Sequence, residues 1–238
     1  MSSLRPNRLI VTWNGSGVPS ASGLDAYFNS QGVPSSLIAD GAAITAGDLA
    51  GMSLFVGYVP SGAYGAGEIA AFASFLSGGG RLLFVGENSG FPTTNNAING
   101  AISALGGNMA SDHLTYDGGF HNATVANGQI LAHPLTAGVN TLNYAAPSGI
   151  TGAAAPLFLT IDLVHVFAGF EVVGAGSIVF LSDSNLLNNL GQLSNDNGQF
   201  FLNVAQVETR PPVPEPGSML LLGTGLVGLG RAWRKRRQ

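Results

Sequence analysis

The chain contains no cysteine among its 238 residues. A protein without cysteine has no disulfide, no thiolate metal site and no cysteine nucleophile, so several enzyme classes are excluded at once. Charge is also scarce, because charged residues make up 9% of the sequence while hydrophobic residues make up 45%. This composition is too hydrophobic for a disordered chain and indicates a folded body with a polar but largely uncharged surface.

Lysine occurs once, at Lys235, and four of the arginines stand beside it at the end of the chain. Residues 1–214 hold four arginines against twelve carboxylates, so 4 minus 12 gives a net charge of −8. An acidic body of this kind is expected to repel nucleic acid and anionic lipid. Nucleic acid is therefore not predicted as a partner.

The carboxyl-terminal tail consists of three consecutive zones. Residues 209–217 contain four prolines and predict an extended linker, because proline disfavours both helices and central strands. Residues 218–230 are uncharged and rich in leucine and glycine, and as a helix they would rise about 20 Å, less than the roughly 30 Å hydrocarbon core of a membrane. The tail at 218–238 is thus predicted to be a short hydrophobic helix followed by a cytoplasmic basic cluster of Arg231, Arg234, Lys235, Arg236 and Arg237.

The tail resembles the PEP-CTERM sorting signal of Gram-negative bacteria. Val213, Pro214, Glu215 and Pro216 stand where that family has its motif, and a short apolar stretch and an arginine-rich end follow. In that family an exosortase, a membrane transpeptidase-like enzyme, reads the motif and releases or re-anchors the protein at the cell surface. The resemblance implies export, transient retention in the inner membrane and an exosortase partner. The alternative interpretation is an ordinary hydrophobic helix after a proline-rich linker.

The amino terminus shows no secretory signal peptide in this chain. Residues 1–7 are polar, and residues 9–13 are too few to form the apolar region of such a signal. Residues 9–13 instead have the character of a core strand. We expect the export signal to lie upstream of residue 1 or to have been lost.

Residues 1–208 are predicted to form one α/β domain, because short apolar runs alternate with amphipathic stretches. Runs at 9–13, 36–39, 53–59 and 81–86 predict strands, and helical periodicity at 23–31, 68–76 and 94–105 predicts the helices between and after them. This pattern favours a doubly wound, mainly parallel sheet. Shorter runs between glycine and proline turns at 123–172 predict antiparallel additions. Residues 177–182 and 197–207 predict a last parallel strand and a closing helix.

The body resembles the flavodoxin-like fold of the class I glutamine amidotransferase-like superfamily, especially its non-catalytic branches. Residues 133–139 and 176–184 carry most of the resemblance. In active members the nucleophile is a cysteine in a Gly-x-Cys-x-Gly turn after a strand. The matching turn is Gly86–Gly90, in which Asn88 occupies the nucleophile position. An amide is not a useful nucleophile, so the resemblance implies the fold without amidotransferase activity.

Two sets of residues keep a hydrolase as an open hypothesis. Ser89, His133 and Asp183 follow predicted strand ends and could supply a nucleophile, a base and an orienting acid. Glu87 and Asp183 could act instead as paired carboxylates at the switch point of the sheet. The alternative interpretation is that Asn88 and Ser89 satisfy the backbone amides of a turn and a helix start.

No metal site and no cofactor are predicted, because the four histidines lack tight ligand spacing and no phosphate loop is present. A loop containing Asp112, His113, Asp117 and His121 could ligate a metal, although solvated polarity is the commoner role of such residues. Residues 182–185 and 195–197 could offer oxygen ligands to calcium. Helix capping is the commoner role of those residues.

The sequence therefore predicts a non-enzymatic, exported protein of the cell surface or extracellular matrix. Its tail would be sorted by an exosortase, and its body would bind an envelope component such as polysaccharide through loops at the carboxyl ends of the strands. The alternative hypothesis is a secreted hydrolase of amidase, esterase or glycosidase type that uses Ser89 or the pair Glu87 and Asp183.

Overall fold

A computed structural model of the chain describes residues 9–12, 21–38, 41–192 and 194–207. The predicted linker at 209–217, the motif residues Val213 to Pro216 and the basic cluster at the end of the chain lie outside these residues. So do the segments 1–8 and 13–20. The strand and helix assignments for residues 9–12 and 21–207 are the ones that the structure tests.

The described residues alternate strands and helices in the first half and are mostly strands in the second. The helices are α1 (Ala21–Ser30), α2 (Ala46–Leu49), α3 (Ala66–Ser77), α4 (Pro92–Ala104) and α5 (Asn197–Gln206). The strands are β1 (Leu9–Thr12), β2 (Ser35–Ile38), β3 (Leu54–Tyr58), β4 (Arg81–Val85), β5 (Ala110–Ser111), β6 (Phe120–Thr124), β7 (Thr141–Ala145), β8 (Ile150–Thr151), β9 (Ala155–Leu159), β10 (Val166–Val173) and β11 (Gly176–Leu181).

Five parallel strands form one side of the sheet, in the order β2-β1-β3-β4-β11, with β2 at the sheet's edge. The chain adds β2 on one side of β1 and then β3, β4 and β11 on the other, which is the doubly wound arrangement. Buried strands of this kind are nearly continuously apolar, as in β4, where every residue from Leu82 to Val85 is buried. The predicted α/β fold with a mainly parallel sheet is confirmed.

Helices cover both faces of the parallel strands. On one face α1 and α5 pack against alternate strand residues that include Leu54, Val56 and Tyr58. On the other face α2, α3 and α4 pack against the intervening residues, such as Phe55 and Phe84. Successive side chains of a strand point to opposite faces, so each strand contributes to two hydrophobic clusters.

Antiparallel strands extend the sheet beyond β11, as the sequence predicts. Strand β10 pairs with β11, and β9 and β8 both pair with β10. Strand β5 pairs with β8, while β6 and β7 form a separate antiparallel ribbon. Strands β5 and β8 have two residues each, too few to produce a periodic pattern, and the sequence does not predict them.

The parallel strands define two edges of the sheet that differ in chemistry. The carboxyl edge is where β3, β4 and β11 end, and the amino edge is where they begin. At the amino edge the Arg81 side chain donates from Nε to Ser177 Oγ (3.1 Å), from Nη2 to the Val207 carbonyl (2.8 Å) and from Nη1 to the Val204 carbonyl. These bonds satisfy carbonyls at the end of α5 that the helix itself leaves without donors.

Candidate functional site

Buried polar side chains collect at the carboxyl edge. Glu87 follows β4 and is 2% exposed, while Asp183 and Ser184 follow β11 and are fully buried. The Oε1 atom of Glu87 accepts hydrogen bonds from the Ser184 backbone nitrogen (3.0 Å) and from Ser184 Oγ (2.8 Å). Ser184 thus joins the ends of two neighbouring parallel strands. The structure brings the predicted pair Glu87 and Asp183 to one place.

The Asp183 carboxylate connects this cluster to the antiparallel half of the body. Its Oδ2 atom accepts from the backbone nitrogen of Ala145, the last residue of β7, at 2.7 Å. Its Oδ1 atom accepts from the backbone nitrogen of Asn185 (2.8 Å) and from Asn185 Nδ2 (3.0 Å). Both oxygens are therefore engaged by the protein itself.

The surroundings of these two carboxyl groups favour their protonated forms. Burial raises the pKa of Asp183 to about 7, the charge of Glu87 adds to the rise, and the hydrogen bonds from Ala145 and Asn185 oppose it. Burial likewise raises the pKa of Glu87, against the hydrogen bonds from Ser184 and Asn88. Two buried carboxylates also repel each other, so near neutral pH the pair carries less than two full negative charges.

The turn after β4 is held by asparagine side chains. Asn95 is fully buried in α4, where its Oδ1 accepts from the Glu87 backbone nitrogen (3.1 Å) and its Nδ2 donates to the Glu87 carbonyl (2.7 Å). Asn88 Nδ2 donates to Glu87 Oε2 (2.8 Å), and Asn88 Oδ1 accepts from the Gly90 nitrogen (2.8 Å). Asn88, which stands at the predicted nucleophile position, therefore stabilises the turn.

Tyr58 at the end of β3 lies beside this acid pair, with its side chain on the face that α1 and α5 cover. The residue is 1% exposed. Burial raises the pKa of Tyr58, a hydrogen bond with Ser184 opposes the rise, and the charges of Glu87 and Asp183 add to it. The contact with Ser184 falls short of normal hydrogen-bond geometry, so the buried hydroxyl is weakly satisfied.

Val59, the next residue, has a φ of +41°. A β-branched residue in the left-handed region is strained, and such strain is concentrated at functional positions in proteins. Its nitrogen donates to the Val85 carbonyl at 2.8 Å, which holds this backbone in place. The carboxyl end of β3 therefore combines a weakly satisfied buried hydroxyl with a strained backbone.

The predicted set of Ser89, His133 and Asp183 is not assembled. Ser89 is exposed, and its Oγ lies 2.7 Å from Thr115 Oγ1. His133 Nδ1 accepts from the Leu135 nitrogen (3.2 Å), and burial followed by the nearby Arg81 charge lowers the pKa of His133. Asp183 in turn accepts hydrogen bonds from Ala145 and Asn185. These contacts give each of the three residues other partners, and the catalytic set stays a hypothesis.

The candidate metal ligands have other partners. Asp112 Oδ2 accepts from the Tyr116 hydroxyl (2.9 Å), and Asp117 Oδ2 accepts from the Tyr144 hydroxyl (2.7 Å). His113 Nε2 lies 3.3 Å from Asn99 Nδ2, and His121 Nε2 lies 3.1 Å from the Gly118 carbonyl. Within the described parts of the chain, no three histidine, aspartate or glutamate residues are grouped as metal ligands.

Residues 196 and 197, proposed from the sequence as calcium ligands together with 195, make structural hydrogen bonds instead. Asp196 Oδ2 accepts from the backbone nitrogens of Asn140 (2.8 Å) and Thr141 (2.9 Å), at the start of β7. Asn197 Nδ2 donates to the Asn143 carbonyl (2.7 Å) and to the Leu186 carbonyl (3.0 Å). These side chains tie the start of α5 to β7.

A groove opens at the carboxyl edge between the segments that follow β2 and β3. Its inner part has a volume of about 300 Å³ and is lined by Tyr58, Tyr64, Glu68 and the segments 41–44 and 60–63. An adjoining part of about 510 Å³ shares Ala43, Ile44 and Glu68 and continues along the first turns of α3. Strands β1 and β3 are the neighbours at which a doubly wound sheet changes direction, and ligands of such folds bind outside the carboxyl ends there.

Sequence reasoning found Glu87 and Asp183, included Ser184 only among possible calcium ligands at 182–185, and missed Tyr58 and Asn95. The two carboxylates directly follow apolar runs, which marks them as strand-end residues. Tyr58 lies inside an apolar run and resembles any core aromatic residue, and Asn95 lies inside a helix. A polar residue in an otherwise buried strand followed by proline, as in Tyr58 to Pro60, is the signal that was available.

Comparison with known proteins identifies the tail and the fold. Residues 212–237 match the PEP-CTERM protein-sorting motif. No curated protein matches the sequence. No helix among the described residues is both long enough and apolar enough to cross a membrane.

Several solved structures share the fold at low sequence identity. The mmIFT52 N-terminal domain aligns with a TM-score of 0.66 and 15% identity over 86% of this chain and 99% of that one. The cytoplasmic protein STM3548 from Salmonella typhimurium gives 0.63 and 12% over 86% and 100%. A β-galactosidase from Rahnella sp. R3 gives 0.53 and 15%, covering 88% of this chain and 33% of that one.

These similarities show the fold alone, because sequence identities this low do not indicate a shared function. The descriptions of these structures name neither a flavodoxin nor an amidotransferase, so the predicted resemblance of the body to that superfamily is not confirmed. The sorting motif has a direct consequence, since it implies export and sorting at a membrane with an exosortase-type enzyme as partner. The carboxyl-terminal tail of this chain is a PEP-CTERM protein-sorting motif.

Proposed function

We propose that this chain is a non-catalytic protein of the cell surface or extracellular matrix of a Gram-negative bacterium, delivered by exosortase-dependent sorting. The match of residues 212–237 to the sorting motif is the observation that carries the proposal. The acidic body, which would be repelled by anionic lipid, fits a protein released from the membrane rather than held flat against it.

The chemistry of the carboxyl edge supports a body without catalysis. The carboxylates of Glu87 and Asp183 are buried, and their oxygens accept hydrogen bonds from Ser184, Asn88, Ala145 and Asn185. A carboxylate that acts as a general acid or base must reach the substrate at about hydrogen-bond distance. In this arrangement the pair serves to join strand ends. The resemblance of the body to non-catalytic amidotransferase-like domains leads to the same expectation.

The second part of the proposal is that the body binds polysaccharide of the cell envelope. The groove at the carboxyl edge is the described surface that suits it, because it lies where doubly wound sheets bind ligands. The body would then retain the released protein among the polymers outside the cell.

Sorting is tested by expressing the full chain in a bacterium that has an exosortase and in the same strain without it. We expect the chain to reach the surface or medium in the first strain and to accumulate in the inner membrane fraction in the second. Glu215→Ala should reproduce the second result in the first strain, while Pro211→Ala, just outside the matched residues, should not. An identical distribution in both strains would contradict the proposal.

Catalysis is tested on the purified full chain with panels of esters, amides and polysaccharides. We expect no turnover above buffer with the wild type. Turnover that Glu87→Gln abolishes while Ser89→Ala does not would establish the carboxylate hydrolase in place of a binding protein. The reverse pattern would establish a serine hydrolase.

A further inference from the structure

The loop between β9 and β10, residues 160–165, exposes three large aliphatic side chains within four residues. They belong to Ile161, Leu163 and Val164. Val125 is also exposed and starts the turn 125–128, which lies against the loop, because a Cβ on Gly128 would be 3.8 Å from Leu163 Cδ1. Four of the eight large hydrophobic side chains exposed among the described residues thus lie together. We call these four residues the apolar patch, and exposed patches of this kind mark interaction sites.

Hydrogen bonds within the loop fix its backbone. Asp162 Oδ1 accepts from the backbone nitrogens of Val164 (2.9 Å) and His165 (3.2 Å), and Asp162 Oδ2 lies 2.6 Å from His165 Nδ1. The Thr160 nitrogen donates to the His165 carbonyl at 2.9 Å and closes the loop. Leu163 has a φ of +59°, a conformation that residues with a Cβ rarely adopt. The polar groups of the loop are therefore used internally while its aliphatic side chains remain in solvent.

The neighbouring segment 112–117 supports the loop from one side. Asp117 Oδ2 accepts from the Ile161 nitrogen at 2.8 Å, and the Tyr116 ring stacks on the His165 ring with centroids 4.0 Å apart. The Tyr116 hydroxyl in turn donates to Asp112 Oδ2 at 2.9 Å. A surface that is held in shape before binding loses less conformational entropy when a partner docks. The patch is thus preformed and has carboxylates along its border.

The border of the patch is negatively charged. Hydrogen bonds from the Thr160 hydroxyl and the Val164 nitrogen lower the pKa of Asp162, so this carboxylate is ionised at neutral pH. Asp112 and Asp117 add to it, and the imidazole of His165, when protonated, offsets the charge of Asp162.

No lysine or arginine of the described residues lies near the loop. Arg81 is the only such residue in the described ranges, and it starts β4 at the amino edge. The loop precedes Ala168, which pairs with Leu181 at the end of β11, so the loop lies beyond the carboxyl edge. The patch therefore has an apolar centre and an acidic border without a cation to balance it.

This charge selects among the possible occupants of the patch. An anionic lipid surface is repelled by the acidic border. A second copy that met this one patch to patch would bring like charges together, which costs binding energy. A protein surface with an apolar centre and cations around it complements both features.

We propose that the apolar patch binds a protein partner whose contact surface carries lysine or arginine side chains around an apolar centre. Leu163 and Val164 supply the apolar contact, and Asp117 and Asp162 face the partner's cations. This inference goes beyond the proposed function, because it assigns a protein partner to a surface separate from the groove, and it does not depend on sorting.

The binding test uses the full chain immobilised through a tag after Gln238, and surface plasmon resonance measures the affinities. The probes are two amphipathic helical peptides of equal length, one of leucine and lysine and one in which glutamate replaces every lysine. We expect the leucine–lysine peptide to bind at least tenfold more tightly than the leucine–glutamate peptide, and a tenfold rise in ionic strength to remove most of this difference. Absence of binding by the leucine–lysine peptide, or equal affinities of the two peptides, would overturn the proposal.

Two matched valine variants locate the contact. Val164 in the loop is 71% exposed, and Val172 near the far end of β10 is 59% exposed, so neither change disturbs the core. Val164→Ser should weaken binding of the leucine–lysine peptide about fivefold, the cost of one lost apolar contact, while Val172→Ser should leave it unchanged. Attraction of the peptide to the acidic body as a whole would affect both variants alike. Equal affinities of the two variants would place the contact elsewhere and overturn the assignment.

Val164→Lys tests the charge of the partner at the same position. It should weaken binding of the leucine–lysine peptide more than Val164→Ser does, and it should strengthen binding of the leucine–glutamate peptide. Equal effects of Val164→Lys and Val164→Ser on both peptides would show that charge does not select the partner.

Two further measurements test the other occupants. Vesicles of phosphatidylethanolamine and phosphatidylglycerol passed over the same surface should bind the wild type and Val164→Ser alike. Sedimentation of the full chain in detergent should give the same mass for both. Vesicle binding or self-association that is lost only in Val164→Ser would assign the patch to lipid or to a second copy and overturn the proposal.

Discussion

The two edges of the parallel strands use their polar groups in different ways. At the amino edge, the Arg81 guanidinium donates hydrogen bonds to the Ser177 hydroxyl and to the carbonyls at the end of α5. At the carboxyl edge, the carboxyl groups of Glu87 and Asp183 are buried close together and accept hydrogen bonds from neighbouring side chains and backbone amides. One cation thus serves neutral acceptors at the amino edge, whereas two acidic groups share a buried place at the carboxyl edge, so the stability of the two edges should respond differently to pH.

The largest effect that would sharpen this comparison is the dependence of stability on pH. Because the pKa of Asp183 is about 7 in the folded protein and near 3.8 otherwise, the folded state binds a proton more tightly. Its contribution to the free energy of unfolding is therefore fully present below pH 3.8, falls as the pH rises to about 7 and is absent above it. Titration of Asp183 therefore makes the free energy of unfolding at most about 4 kcal/mol larger at low pH than above pH 7.

Urea unfolding between pH 4.5 and 8 measures this fall. Glu87→Gln removes the charge that helps raise the pKa of Asp183, so the fall should shrink by about 1–2 kcal/mol. Asp48→Asn is the control, because hydrogen bonds from Thr45 lower the pKa of Asp48 and its titration lies below this range. Equal falls in the wild type and Glu87→Gln would show that the carboxylates do not interact.

At the amino edge we expect Arg81→Met to lower the free energy of unfolding by about 3 kcal/mol, since buried carbonyls of α5 lose charged donors. Hydrogen exchange of the amides near Val204 and Val207 should accelerate more than exchange in α3. Arg81→Lys should recover part of the loss, because one ammonium cannot reproduce three bonds of a planar guanidinium. Unchanged exchange in α5 would contradict the role given to Arg81.

A smaller effect is expected where the two strand ends are joined. Ser184→Ala removes the hydroxyl that donates to Glu87 but keeps the backbone bond, so the loss should be about 1–2 kcal/mol at pH 8. At pH 4.5 the loss should be smaller, because a protonated Glu87 accepts a weaker hydrogen bond. Chemical unfolding at both pH values measures it, and a loss that is larger at pH 4.5 would argue against this pairing.

The smallest expected effect is an increase in the free energy of unfolding, whereas the preceding variants lower it. Gly67→Ala adds a methyl group that meets open space near the start of α3, and it should stabilise the protein by about 0.5–1 kcal/mol through helix propensity. Gly57→Ala is the contrasting variant and should destabilise, because its Cβ would collide with Tyr64. Thermal unfolding distinguishes the two signs.

The sequence predicted the architecture better than it predicted the site. Buried strands such as β4 and amphipathic helices such as α3 leave a periodic pattern, so the doubly wound sheet and its antiparallel additions were predictable. The nearness of Glu87 to Ser184 was not, because these residues are 97 positions apart and only the pairing of β4 with β11 brings them together. The contacts of His133 and Ser89 were unpredictable for the same reason, since a pattern along the chain does not say which loops come together.

The Arg81 contacts also tie the last described helix to the sheet. One guanidinium donates both to Ser177, near the start of β11, and to the carbonyl of Val207, the last described residue. The end of α5 is therefore anchored within the body and should not fray, although no tight turn or cap follows it among the described residues.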